Sequence, residues 1–156
     1  MSEPVYVITG ASKGIGLETL KYLVTVPGTI ISVSRSIPEE LQTIMNENQQ
    51  KICHFCGSVT DPDVNDTIIS TIEKKGGKLN ALILNAGIAL PIARIKDIDV
   101  EIWRQHYEIN FFSMIDIIQK SIPYLKNAKG RVIMLSSGAA VNGKEGWSTY
   151  CCSKGK

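Results

Sequence analysis

Tyr150 and Lys154 stand four residues apart in "WSTYCCSKGK", a spacing that puts both side chains on one face of a helix. An ammonium beside a phenol favours the phenolate. A phenol with the ordinary pKa near 10 needs a downward shift of about three units, roughly 4 kcal/mol, to give up its proton close to neutral pH. The pair has the makings of a proton donor with its own pKa modifier. Ser137 ends the apolar run "RVIMLSS" and offers a hydroxyl that could hydrogen-bond an oxygen on which charge develops, with Ser136 as the rival position. Asn110 falls inside a stripe of Trp103, Tyr107, Met114 and Ile118 at spacings of three and four, where an amide must find partners.

A second constellation lies near the N-terminus. "TGASKGIG" places Gly10, Gly14 and Gly16 between an apolar run and a helix-periodic one, with Ser12, Lys13 and Ile15 filling the turn. Glycines there permit a tight turn and close approach of the backbone to a pyrophosphate, and the helix N-terminus adds free N–H groups and partial positive charge. A site of this kind for NAD carries an Asp or Glu about twenty residues on, bonded to the ribose 2′-hydroxyl. The matching stretch here is "VSRSIP": Ser34 stands in the acid's place and Arg35 follows. An acid would repel a 2′-phosphate, whereas the planar fork of Arg35 can bind one and Lys13 adds a second cation. These residues favour NADP(H) over NAD(H).

The elements needed to hold these groups follow from the pattern of apolar residues. "VYVIT" (5–9), "IISVS" (30–34), "KICHFCGSV" (51–59), "LNALILN" (79–85) and "RVIMLSS" (131–137) are strand-like runs. Between them lie helical patterns: Leu17, Leu20, Leu23 and Val24; a helix opened by Pro38 and Glu39; one starting at Asp61 and Pro62, an N-cap followed by Pro at the first helical position; and one over 99–126. Alternating strands and helices with short connections predict an α/β fold, a doubly wound parallel sheet covered on both faces, Rossmann-like, with ligands beyond the carboxyl ends of its strands.

Composition removes several other classes. The chain has 156 residues, 44% hydrophobic and 21% charged, with a net charge of +2, which suits one globular domain over 1–156. The scattered cations form no stripe for nucleic acid. No signal-like start or unbroken apolar span points to secretion or to a membrane, so a cytoplasmic protein is expected. Cys53 and Cys56 form one C-x-x-C with no second pair, and Cys151 and Cys152 are adjacent; reduced, structural cysteines and no metal site are expected. His54 and His106 match no motif and are read as structural or surface residues.

Together these residues give the chain a resemblance to the short-chain dehydrogenase/reductase family, running from residue 5 to the last lysine. "TGASKGIG" is similar to the family's glycine motif, "NAG" (Asn85, Ala86, Gly87) to the segment after its fourth strand, Asn110 in "YEINFF" to its helix asparagine, Ser137 in "LSSGA" to its active serine, and Tyr150 to Lys154 to its Y-x-x-x-K. Ser137 precedes Tyr150 by 13 residues and Asn110 precedes it by 40, as the family pattern has them. After the third strand the family carries an Asp toward the adenine; this chain has "SVT", leaving Ser58, Val59 or backbone groups for that contact. "GWSTYCCSK" is closer to the sepiapterin and benzil reductase branch, although Trp147 could equally be a packing residue.

The resemblance implies an NADP(H)-dependent oxidoreductase that reduces a small ketone, aldehyde or dicarbonyl. It implies that Tyr150 is the acid, that Lys154 tunes it and holds the nicotinamide ribose, that Ser137 polarises the substrate oxygen, and that Asn110 anchors a water linked to Lys154. Asn85, Ala86 and Gly87 would line the cofactor cleft. Family members continue past the lysine with a further strand and a substrate-covering segment, so the chain reads as truncated after its fifth strand and the start of the next helix, its C-terminal substrate segment missing. An apolar edge on the fifth strand is then expected. The alternative reading is a nucleotide-binding module that holds NADPH without turnover. Homo-oligomers are possible where the missing part is present.

Overall fold

The computed structural model describes residues 3–155. Five strands, β1 (Val5–Thr9), β2 (Thr29–Ser34), β3 (Ile52–Cys56), β4 (Ala81–Leu84) and β5 (Arg131–Met134), form one sheet in the order β3-β2-β1-β4-β5, and every pairing is parallel. The helices are α1 (Gly14–Thr25), α2 (Glu39–Glu47), α3 (Pro62–Lys74), α4 (Val100–Tyr107), α5 (Ser113–Ala128) and α6 (Ser148–Lys154). The chain runs outward from β1 through β2 to β3, then returns to the other side of β1 for β4. Strand order therefore reverses beside β1, the place where such sheets open a ligand crevice.

Alternating side chains of the strands feed two separate cores. Val5, Val7, Ile31, Val33, Leu82 and Leu84 pack under Ile68 and Ile72 of α3 and Met114, Ile117 and Leu125 of α5. Ile8, Ile30, Ile52 and Ile83 pack under Leu17, Leu20 and Leu23 of α1 and Leu41 of α2. The sequence places strands and helices in this order, with trimmed ends: β3 and β5 are shorter than their apolar runs. Asp61 is the N-cap of α3, accepting from the Asp63 N–H at 3.0 Å, with Pro62 at the first helical position. Lys51 closes the other end of α1, its ammonium donating to the carbonyls of Val24 (2.6 Å) and Val26, as cations do at helix C-termini.

The expected helix over 99–126 is continuous in path but not in winding. Asp99 caps α4 through the Glu101 N–H. Between α4 and α5, Glu108–Phe112 forms a π-helical turn, with the Ser113 N–H reaching the Glu108 carbonyl. The extra residue of this wide turn changes which side chains face inward. The buried side before it is His106, fully enclosed, while Trp103 and Tyr107 of the expected stripe stay half-exposed. His106 Nε2 lies 3.1 Å from the Leu90 carbonyl, beside the cis Leu90–Pro91 peptide. Among the described residues β5 pairs with β4 alone, and its Val132 and Ile133 are 40% and 46% exposed. No described helix is long and apolar enough to cross a membrane.

One polar strip interrupts the α1/α2 core. Ser32 of β2 pairs in register with His54 of β3, and its hydroxyl lies 2.8 Å from Nδ1. Burial lowers the His54 pKa from its ordinary value, because a charged ring is harder to take out of water than a neutral one. In the unfolded chain the ring titrates at about 6.5. Below that pH the unfolded chain takes up a proton that the folded one does not, so stability is lost as pH falls through that value and is retained above it. Urea unfolding at pH 7.5 and pH 5.5 is expected to show a smaller acid loss for His54→Gln than for the unaltered protein.

Candidate active site and cofactor cleft

The carboxyl ends of β1, β2, β3 and β4 surround a cleft of about 350 Å³ lined by Gly10, Ser12, Lys13, Gly14, Val33, Ser34, Arg35, Gly57, Ser58, Val59, Asn85, Ala86, Gly87, Ile88 and Ile109. One floor of it is built by a clamp between β1 and the segment after β4. The Thr9 hydroxyl accepts from the N–H groups of Asn85 (3.2 Å) and Ala86 (3.1 Å). In return, Asn85 Nδ2 donates to the carbonyls of Thr9 (3.1 Å) and Gly10 (2.9 Å). The packing leaves no room for side chains at two of the glycines. A Cβ on Gly16 would lie 2.1 Å from the Gly10 carbonyl oxygen, and one on Gly10 would lie 2.8 Å from the Ala86 Cα. Gly10 also has a φ of +73°, a conformation open chiefly to glycine.

Gly14 opens α1, whose first turn receives no side-chain cap. N–H groups in such a position, at the positive end of a helix dipole, can bind an anion. A backbone cradle closed to a Cβ at Gly10 and Gly16, and a helix N-terminus without a side-chain cap, fit the phosphates of a nicotinamide dinucleotide, and Lys13 and Arg35 also line the cleft. Two of the sequence-selected residues play a different part in this geometry. Gly16 is buried in the turn's own packing, and Ile15 is 68% exposed; neither lines the cleft. Ser34 does line it, but its hydroxyl donates inward to the Ser36 carbonyl at 2.7 Å.

The groups selected for chemistry gather at the β4 and β5 side. Asn110, fully buried in the π turn, accepts from the Ile88 N–H (2.8 Å) through Oδ1 and donates to the Ile88 carbonyl (2.9 Å) and Ser153 Oγ (2.9 Å) through Nδ2. Ser153 passes the contact on to the Tyr150 carbonyl at 3.1 Å. Asn110 thus spends its amide on joining the post-β4 loop to α6, not on its own helix. Lys154 is 4% exposed, and its ammonium donates to the Leu135 carbonyl at 3.2 Å. A Cβ on Gly87 would lie 2.9 Å from Lys154 Nζ and 3.0 Å from Asn110 Oδ1, so the ammonium and the amide converge beneath a residue that lines the cleft.

Ser137 begins the turn Gly138–Ala140 and its Oγ accepts from the Ala139 N–H at 3.2 Å. Its neighbour Ser136 points elsewhere, donating to the Lys154 carbonyl at 2.9 Å. The Tyr150 ring meets Trp147 edge to face, centroids 5.7 Å apart, and Lys144 Nζ lies 5.8 Å from the Trp147 ring centroid, so Trp147 is at least a packing residue. The Ala93 N–H to Gly146 carbonyl bond, 3.0 Å, ties the two loops beside α6 together. Thr9 and Ser153 are the structural partners that motif reading passes over. Thr9 is the last residue of its strand and Ser153 directly precedes the lysine, but neither position by itself signals a bond across the fold. Among the described residues no three His, Cys, Asp or Glu side chains group as metal ligands.

Residues 4–156 match the short chain dehydrogenase family. An uncharacterized oxidoreductase of Schizosaccharomyces pombe is 44% identical over 98% of this chain and 61% of its own length. A benzil reductase, (S)-benzoin forming, of Saccharomyces cerevisiae is 32% identical over 96% of this chain and 60% of its own. The crystal structure of the KRED1-Pglu enzyme superposes with a TM-score of 0.90 at 32% identity, covering 97% of this chain and 64% of that one. The chain thus spans about three-fifths of the length of the curated relatives it matches. With the parallel sheet, the glycine cradle and the Tyr150–Lys154 helix in place, the protein belongs to the short chain dehydrogenase family.

Proposed function

We propose that the protein is an NADP(H)-dependent reductase of a small ketone, aldehyde or dicarbonyl compound. The observation that carries the reading is the convergence of Lys154 and Asn110 beneath Gly87, in a cleft that Arg35 and Lys13 also line. When bound, the nicotinamide supplies the hydride. The chain's residues do the rest. Gly10, Ser12, Lys13 and Gly14 hold the pyrophosphate, with Ile15 and Gly16 shaping the turn; Arg35 holds the 2′-phosphate from the turn that Ser34 ties down; Ser58 and Val59 border the adenine; and Asn85, Ala86 and Gly87 form the wall toward the nicotinamide.

Tyr150 gives its phenolic proton to the substrate oxygen. Lys154, buried and one helical turn along the same helix, stabilises the charge left on the phenol oxygen and binds the ribose. Ser137 Oγ–H donates to the same substrate oxygen and stabilises the charge developing there. Asn110 holds the ammonium's surroundings and α6 in register. The benzil reductase relative supports an aromatic diketone as the first substrate to try. The reading takes the protein to be cytoplasmic and domain 1–156 to be the dinucleotide-binding part, with a homo-oligomer as one possible state of a longer chain.

Fluorescence titration with NADPH and NADPH oxidation with a panel of diketones test the reading together. Binding with no oxidation would favour the second reading, a nucleotide-binding module. Tyr150→Phe is expected to lower kcat by about 10²-fold or more while leaving NADPH affinity within about twofold, and retained turnover would refute the acid role. Arg35→Asp is expected to weaken NADPH relative to NADH by at least about tenfold, the scale of a lost charge-assisted hydrogen bond, and an unchanged ratio of dissociation constants would refute the cofactor preference.

A further inference from the structure

We infer that His54, a residue outside the cleft, is a positioning residue for cofactor discrimination: through Ser34 it holds the turn that carries Arg35. This rests on the NADP(H) reading above and deepens it. The face of the sheet under α1 and α2 is apolar at Ile8, Ile30, Ile52 and Ile83, yet β2 puts Ser32 and Ser34 there, 0% and 4% exposed. Buried hydroxyls need partners. Across the pairing of β2 with β3, His54 stands opposite Ser32 and Cys56 opposite Ser34, and the His54 ring reaches both serines, Nδ1 at 2.8 Å from Ser32 Oγ and Nε2 at 3.3 Å from Ser34 Oγ.

The hydrogens of this chain run in one direction. Ser34 Oγ–H is committed to the Ser36 carbonyl, so Ser34 can only accept from Nε2–H. The ring is then the neutral tautomer whose Nδ1 accepts from Ser32 Oγ–H. Relayed this way, a ring anchored in β3 holds a carbonyl on the far side of Arg35. β3 and the residue after it hold the remaining carbonyls of the same turn: Cys56 Sγ lies 3.5 Å from the Arg35 carbonyl oxygen, and the Gly57 N–H donates to the Ser34 carbonyl at 2.9 Å. Arg35 itself is exposed. A long exposed side chain binds a phosphate well only when little freedom is lost on binding, and what restricts Arg35 is the backbone from which it leaves. Histidine meets the requirement because it accepts at one atom and donates at another; glutamine can do the same, leucine cannot.

The test is the dissociation constants of NADPH and NADH, by fluorescence titration at pH 7.5, for the whole protein and its His54→Leu, His54→Gln, Ser34→Ala, Arg35→Ala and His54→Leu/Arg35→Ala variants. His54→Leu and Ser34→Ala are expected to weaken NADPH about tenfold, a loss smaller than removal of the guanidinium allows, and NADH less than about twofold. His54→Gln is expected to stay within about threefold of the unaltered protein. The double variant is expected to bind NADPH no more weakly than Arg35→Ala alone, because both changes act on one interaction. Equal weakening of both cofactors, an unaffected His54→Leu, or additive losses in the double variant would overturn the role of His54. Should His54→Leu fail to fold, Ser34→Ala decides on the same criteria. Retention of the NADPH preference in Arg35→Ala would overturn the cofactor reading and this inference with it, whereas its loss there but not in His54→Leu overturns this inference alone.

Discussion

The clamp between Thr9 and Asn85 holds the rest of the cleft in place. A threonine hydroxyl at the end of β1 takes two backbone N–H groups from the chain leaving β4, and the asparagine amide returns two bonds to the carbonyls that open the glycine turn. Four bonds thus join the two strands between which the sheet's order reverses. They satisfy polar groups that would otherwise be stranded at the edge of the core. They also bring the backbone of Gly10 against Ala86 and that of Gly16 against Gly10, so tightly that side chains are shut out of both positions.

From that clamp the chain goes on to Gly87 and Ile88, and a second joint takes over. Asn110 holds both backbone groups of Ile88 and reaches Ser153 on α6. It can do so from the π turn, where the helix is locally widened and side chains are re-aimed. The Lys154 ammonium, a charge that would be costly to bury without partners, therefore sits where the post-β4 loop, the π turn and α6 meet. On the opposite rim the Ser34–Ser36 turn is held from β3. The cleft is framed by polar side chains that each bond a backbone group on a different element, and geometry is passed along by such contacts more rigidly than by apolar packing alone.

Much of this was legible in the sequence because it is local. A turn that must approach a phosphate shows its glycines, a Tyr and a Lys that share a helix face show their spacing of four, and buried parallel strands show apolar runs bounded by turn residues. The Asp61 and Pro62 start of α3 has the same local character. Trp103 and Tyr107 show the limit: a period of 3.6 cannot register one extra residue in a turn, so the stripe drawn through them misses His106, the side chain that is enclosed. The inward-facing hydroxyl of Ser34 shows it too, since nothing in "VSRSIP" distinguishes a serine that faces a ligand from one that ties down its own loop.

What the amino-acid sequence determined by itself is the order of strands and helices, the parallel sheet and the glycine turn, each written in neighbours a few residues apart, while Asn110, Ser137, Tyr150 and Lys154 stand out through spacings of 4 to 40 residues and a family resemblance. What only the tertiary structure decided is which backbone groups those side chains hold. Thr9 and Asn85 are 76 residues apart, Asn110 and Ser153 are 43 apart, and Ser34 and His54 are 20 apart. Hydrogen bonds across such separations depend on register and on crossovers between strands, and these exist only once the sheet is assembled.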